Sequence, residues 1–157
     1  MRRKDRQKDA DFARQVFTDC EYAMLATVDE EGNPYCVPIS PVIDGDSIYF
    51  HCAIQGKKTD NIHRNDRVCI SCVSYMKLIP ERFTAEYKSA VAYGICTDVT
   101  DENEKIHALR LITGKYAGSN MSGFNSEVEK AVKRTAVMKI AITSITGKAN
   151  TDEEAGL

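Results

Sequence analysis

The chain has 157 residues, enough for one domain that buries roughly 70% of the surface its unfolded chain exposes, so folding requires neither a metal nor a disulfide. Its 21 basic and 23 acidic side chains leave a formal charge of -2, which argues against a nucleic-acid-binding surface and for small-molecule partners. No run has transmembrane length and no apolar core follows the basic opening Met1-Arg-Arg-Lys-Asp-Arg6, so a cytoplasmic protein without membrane association is expected, its six cysteines reduced.

In chain order, Ala13, Val16, Phe17 and Cys20 recur at helical spacing and predict an amphipathic helix over Asp9–Asp19. Tyr22–Val28 reads as a strand, Asp29–Asn33 as a turn, and Pro34–Pro41 as a second strand in which Tyr35, Val37 and Ile39 alternate with Cys36, Pro38 and Ser40. Prolines inside that strand remove backbone donors, which suits an edge or barrel rim and leaves the remaining backbone groups to face a ligand. Asp44-Gly-Asp46 is a hairpin turn into the strand that carries His51.

The stretch from Ile48 to Lys58 is the most informative. Alternation puts Ile48, Phe50 and Cys52 on one face and Tyr49 and His51 on the other, so the imidazole points away from the apolar stripe. Gly56 permits a tight turn, and the helix predicted over Lys57–Arg64 opens with free N–H groups and a positive dipole end. Lys57 and Lys58 add charge there; a solvated basic turn is the commoner fate of Gly-Lys-Lys, and the His51 imidazole on the adjoining strand is what raises the reading as a phosphate site.

Asn65-Asp66 ends that helix, a strand follows over Arg67–Ser74, and Lys77–Arg82 reads as a mobile connection. Cys69 and Cys72 stand an odd number of residues apart on the strand and diverge, so no metal site is expected from them. Tyr87–Val99 is a long strand with Tyr87, Ser89, Val91 and Tyr93 on one face and a bulge or close approach at Gly94. Thr100 is the expected cap of a helix carrying Ile106, Leu109, Ile112 and Tyr116, with Gly118 as its stop. Ser126–Glu129 has capping-box spacing before another helix, and Val137–Thr143 is the last predicted strand. His63 and His107 lie on helices among charged neighbours, where surface roles are expected.

Consecutive strands joined as hairpins predict a mainly β fold with helices, an antiparallel barrel with helices packed around it. A single domain is expected over residues 1–149, with a disordered acidic tail over 150–157.

Several segments together carry a family resemblance: the basic opening, Gly32-Asn-Pro-Tyr-Cys-Val-Pro38, Tyr49-Phe-His-Cys-Ala53 followed by Gly56-Lys-Lys58, Ser89-Ala-Val-Ala-Tyr-Gly94, and Ile145-Thr-Gly-Lys148. In their order and spacing the chain resembles the FMN-binding split-barrel proteins related to pyridoxamine-phosphate oxidase, in the nitroimidazole-resistance branch. The resemblance implies a homodimer with FMN between two barrels and its phosphate at Gly56, Lys57 and Lys58. It places Val37, Pro38, Ile39 and Ser40 beside the isoalloxazine ring, His51 and Cys52 next to the flavin, and Ser89 as a further contact. The chain lacks tryptophan and the C-terminal pattern of the vitamin B6 oxidases, so a different small-molecule substrate is expected.

The leading expectation is thus a flavin-dependent oxidoreductase acting on a small electrophile such as a nitroaromatic, with His51 as the catalytic or positioning residue. The alternative is a flavin-binding or haem-binding module without turnover.

Overall fold

Strand alternation sorts the side chains of a single sheet into an inner and an outer set. The computed structural model describes residues 3–132 and 134–151. Its strands are β1 (Gln7–Lys8), β2 (Ala23–Val28), β3 (Pro34–Ile39), β4 (Val42–Asp44), β5 (Ser47–Ala53), β6 (Arg67–Ile79), β7 (Thr84–Asp98) and β8 (Thr135–Asn150). The helices are α1 (Ala10–Asp19), α2 (Lys57–Arg64), α3 (Glu102–Tyr116) and α4 (Phe124–Ala131). All pairings are antiparallel, in the order β3-β2-β6-β7-β8-β5-β4, with β1 against β8.

The inner faces meet in one core around Leu25, Ile48, Phe50, Ile70, Met138 and Ile140, each fully buried. Burial of each such side chain stabilises the fold by about 1.5–3 kcal/mol. Helix α1 contributes Ala13, Val16 and Phe17 to the same core. Its cap is Asp9, whose carboxylate accepts from the Phe12 N–H at 2.8 Å. On the outside, α3 and α4 cover Val42, Tyr49 and Val137 with Ala108, Leu109, Ile112 and Phe124, forming a second core.

Closure of the sheet is incomplete. Val42, Ile43 and Asp44 of β4 pair with Tyr49, Ile48 and Ser47, so β4 covers only the first half of β5. From Phe50 onward the free edge of β5 confronts β3 across a gap, and Tyr35 and Val37 line one cavity together with Cys52 and Ala53. Strand β3 pairs with β2 alone, which explains how it tolerates Pro34 and Pro38.

Several sequence expectations shift. The connection expected at Lys77–Arg82 is the tip of a long hairpin: β6 runs on to Ile79, and only Pro80–Arg82 turns, as a 3₁₀ helix. Pairing of Lys77, Leu78 and Ile79 with Glu86, Ala85 and Thr84 extends the ladder. The cap of α3 is Asp101 rather than Thr100, because its carboxylate accepts from the Glu104 N–H at 2.8 Å. Helix α4 starts at Phe124, ahead of Ser126, whose hydroxyl instead donates to the Gly123 carbonyl. The last strand spans Thr135–Asn150, so Asn150 belongs to the sheet opposite Tyr87 and Ile145–Lys148 lies on a strand. Residues 152–157 of the expected tail lie outside the described residues.

Gly94 is both a bulge and a close approach. The register shifts between Tyr93 and Gly94, and a Cβ there would stand 2.5 Å from the Ala141 carbonyl oxygen. Only glycine lets β8 pass so near.

Candidate functional site

The turn after β5 is built around Gly56, at φ 156° and ψ 163°, a region open essentially to glycine alone. Because glycine caps α2, the cap offers no side chain to the first N–H groups of the helix. They remain available to an anion together with the positive end of the dipole. The Thr59 hydroxyl donates back to the Gly56 carbonyl at 2.7 Å and fixes the turn.

A buried polar chain holds α2 to the sheet. Asn61 Nδ2 donates to the Thr27 hydroxyl at 3.0 Å, and that hydroxyl donates to the Tyr35 carbonyl at 3.4 Å. The helix N-terminus is thereby set against β2 and β3. Two cations stand over it: Lys58 Nζ lies 5.4 Å from the Phe50 ring centroid, and Lys57 Nζ lies 5.2 Å from that of Tyr35.

Lys57 Nζ is also 3.8 Å from the carboxylate of Asp29 at the β2–β3 turn. Backbone hydrogen bonding from Asn33 holds the Asp29 carboxyl below its usual range, so it stays ionised at neutral pH. One cation of the cradle is therefore partly neutralised from within the chain.

The structure brings together five of the sequence-predicted residues. Val37, Cys52, Gly56, Lys57 and Lys58 line one cavity of about 190 Å³ between β3, β5 and α2. His51 is exposed on the outer face of β5, adjacent in sequence to Cys52, and its side chain makes no hydrogen bond or ion pair among the described residues. Pro38 is exposed opposite Met24, Ile39 turns its side chain into the barrel core, and half-buried Ser40 follows the strand. Ser89 lies elsewhere: its hydroxyl donates to the Lys148 carbonyl at 3.3 Å, and it lines a second cavity of about 240 Å³ with Tyr22, Met24, Cys72 and Val73.

Tyr35, Thr59, Asn61 and Asp29 join the site without having been singled out in the sequence. For Tyr35 the signal was present, since it shares the face of Val37 on β3. Asp29 and Asn61 act through contacts 28 and 34 residues distant, to which local pattern is blind. Cys69 and Cys72 face opposite sides of β6, Cys72 in the core, as alternation requires. His63 and His107 are exposed and pair with Asp98 at 2.6 Å and Asp44 at 2.8 Å.

Two unpaired strand edges facing each other across a cavity, with the glycine-capped start of a lysine-bearing helix beside them, define a split barrel. The family model described as pyridoxamine 5'-phosphate oxidase matches residues 9–149, and the chain belongs to that family. No curated protein matches it. The structure is similar to that of a candidate 5-nitroimidazole antibiotic resistance protein from Bacteroides thetaiotaomicron, with TM-score 0.75 and 26% identity over 90% of this chain and 84% of that one. It is also similar to a FAD-binding protein from Mesorhizobium loti (TM-score 0.65, 20% identity, 93% of this chain and 98% of that one). A FAD and haem binding protein from Mycobacterium smegmatis gives TM-score 0.75 and 16% identity over 96% of this chain and 78% of that one. The latter two likenesses establish the fold alone. No helix among the described residues is long and apolar enough to cross a membrane.

Proposed function

We propose that this chain is a flavoprotein that holds FMN by its phosphate at the start of α2 and reduces a small electrophile such as a nitroaromatic. The observation that carries this reading is the uncapped Gly56-Lys57-Lys58 turn at the open edge of the barrel. Support comes from the family and from fold relatives described as binding FAD or as serving nitroimidazole resistance. When bound, the flavin supplies two-electron transfer to the substrate.

The chain's own groups divide the remaining work. The α2 N–H groups and the two ammonium groups offset the phosphate charge. The edge backbone of β3 from Val37 to Ser40 offers polar groups to the ring system. His51, exposed and with no side-chain partner among the described residues, is the group assigned to proton delivery to the reduced substrate.

A homodimer belongs to the proposal. The cradle cavity of about 190 Å³ is smaller than a ligand pocket of roughly 300–1,000 Å³, so one chain encloses only part of the cofactor. The β6–β7 hairpin meanwhile exposes Met76 at 65%, Leu78 at 66% and Phe83 at 99%, an apolar surface suited to a second copy.

An unpartnered exposed histidine also suits a haem iron, and one fold relative is described as binding both FAD and haem. The absorption spectrum of the purified protein after separate titration with FMN, FAD and haem distinguishes these readings. Tight stoichiometric FMN binding, followed by anaerobic oxidation of reduced nicotinamide with a nitroaromatic acceptor, is the expected result. Haem binding without flavin binding would overturn the proposal.

A further inference from the structure

The outer face of the sheet carries a larger cavity than the α2 cradle. Directly paired residues on neighbouring strands share a face, and successive residues of one strand alternate. Register therefore sets Cys36, Ala26, Cys69 and Tyr93 in one outward row, with Pro34 opposite Val28 and Arg67 opposite Ile95 in the next. The short side chains of Ala26 and Cys69 leave a hollow in the first row, which Val28, Pro34 and Ile95 flank. The result is a cavity of about 480 Å³. That volume lies within the roughly 300–1,000 Å³ of small-molecule sites, as the cradle's does not. No residue lines both cavities, because Tyr35 and Val37 of the cradle alternate on β3 with Pro34 and Cys36.

A bulge shapes the far wall. Between Tyr93 and Gly94 the pairing with β8 slips from Ser144 to Ile142, which makes Thr143 the extra residue. Its hydroxyl donates to the Tyr93 carbonyl at 3.1 Å, and both residues line the cavity. Tyr93 is 55% exposed, so its ring offers area to a ligand.

Arg67 is the charged residue of this wall. It is exposed, and its guanidinium makes no hydrogen bond, ion pair or ring contact with any described residue. The Asn65 side chain accepts only the Arg67 backbone N–H, at 3.2 Å. A planar guanidinium fork matches a carboxylate in two parallel hydrogen bonds, and apolar walls beside it favour a ring. One cation offsets the single charge of a carboxylate better than the double charge of a phosphate ester. Arg67 and Tyr93 are diagonal neighbours on adjacent strands, about 7–8 Å apart along the backbone, a span that one or two fused rings bridge.

We propose that this cavity is a second ligand site, for a planar aromatic monocarboxylate. Its ring lies against Tyr93 over Ala26 and Cys69, and its carboxylate pairs with the Arg67 guanidinium. The site stands at the opposite end of β6 from the exposed Met76 and Leu78, and it does not depend on flavin binding at α2.

The test is calorimetric titration of the full chain with 2-naphthoate and with its uncharged analogue 2-naphthamide. One naphthoate per chain is expected, bound about tenfold or more tighter than the amide. Arg67→Met should abolish that preference, leaving both probes within about twofold of the amide's parent affinity. Tyr93→Ala should weaken both probes by a similar factor, about fivefold or more. Should Tyr93→Ala not fold, Tyr93→Phe keeps the ring and is expected to bind both within about twofold of the parent. Excess FMN should leave naphthoate affinity within about twofold, since the cradle is a different cavity. Absence of naphthoate binding by the folded chain, whether or not a second copy covers this face, would overturn the proposal. So would equal affinity for the two probes, an unchanged preference in folded Arg67→Met, or displacement of naphthoate by FMN, which would place the anion at α2.

Discussion

Asn61 Nδ2 donates to the Thr27 hydroxyl at 3.0 Å, and both residues are 1% exposed. This bond sets the height of α2 against β2 and hence the place where its first N–H groups open. Asn61→Leu removes the amide and leaves part of the buried hydroxyl's capacity unused, a loss of about 1–3 kcal/mol. Urea denaturation should show that loss, and FMN titration should show weaker binding by the folded variant. Unchanged values for both would mean that α2 is held by its apolar contacts alone.

His51 lies outside the barrel core and has no partner among the described residues, so its removal should spare the fold. His51→Ala is expected to keep the melting temperature within about 2 °C and the FMN affinity within about threefold, while turnover falls by a factor of ~10² or more. A large fall in melting temperature at unchanged turnover per folded molecule would return His51 to the scaffold.

Asp29 competes with an incoming phosphate for Lys57, 3.8 Å from its carboxylate. Asp29→Asn therefore raises the net positive charge of the cradle. The variant should bind FMN more tightly and with a steeper dependence on salt, and riboflavin as before. The gain should vanish in a Lys57→Ala background. Tighter binding of both ligands by equal factors would assign the effect to something other than phosphate.

Glu104 joins α3 to the barrel through Lys139 at 2.7 Å and the Tyr49 hydroxyl at 2.9 Å. The Lys139 hydrogen bond, then that from Tyr49, holds its carboxyl below the ordinary range. A carboxyl whose folded-state value lies below the unfolded one contributes stability that is present above the unfolded value and lost as pH falls through the folded one. Thermal melts of Glu104→Gln should lie about 3 °C below the parent at pH 7 and converge with it below about pH 4. A difference that persists at pH 3 would show that the carboxylate charge is not its source.

The barrel and the tight turn at Gly56 were legible in the sequence for a physical reason. Period-two alternation, Gly-Lys-Lys and edge prolines are local signals, and each folded as its local chemistry requires. The long hairpin was less legible, since Met76 and Leu78 stay exposed on β6 and Phe83 in the turn, and the pairing gives no inward-facing pattern to read. The cap at Asp101 was misplaced by one residue because Thr100 is an equally good cap by type, and only backbone geometry separates them. Asp29 and Asn61 entered the site through long-range contacts. The position of Ser89 in a separate cavity likewise follows from how the strands curve, which alternation does not encode.

The central claim is that the start of α2 holds a phosphate. Lys57→Ala combined with Lys58→Ala removes both ammonium groups while leaving the Asn61–Thr27 anchor and the core intact. Calorimetric titration of the double variant with FMN and with riboflavin isolates the phosphate contribution. FMN affinity is expected to fall by about tenfold or more, while riboflavin affinity changes by less than about twofold. An equal loss for both ligands, or no loss for either, would contradict the site.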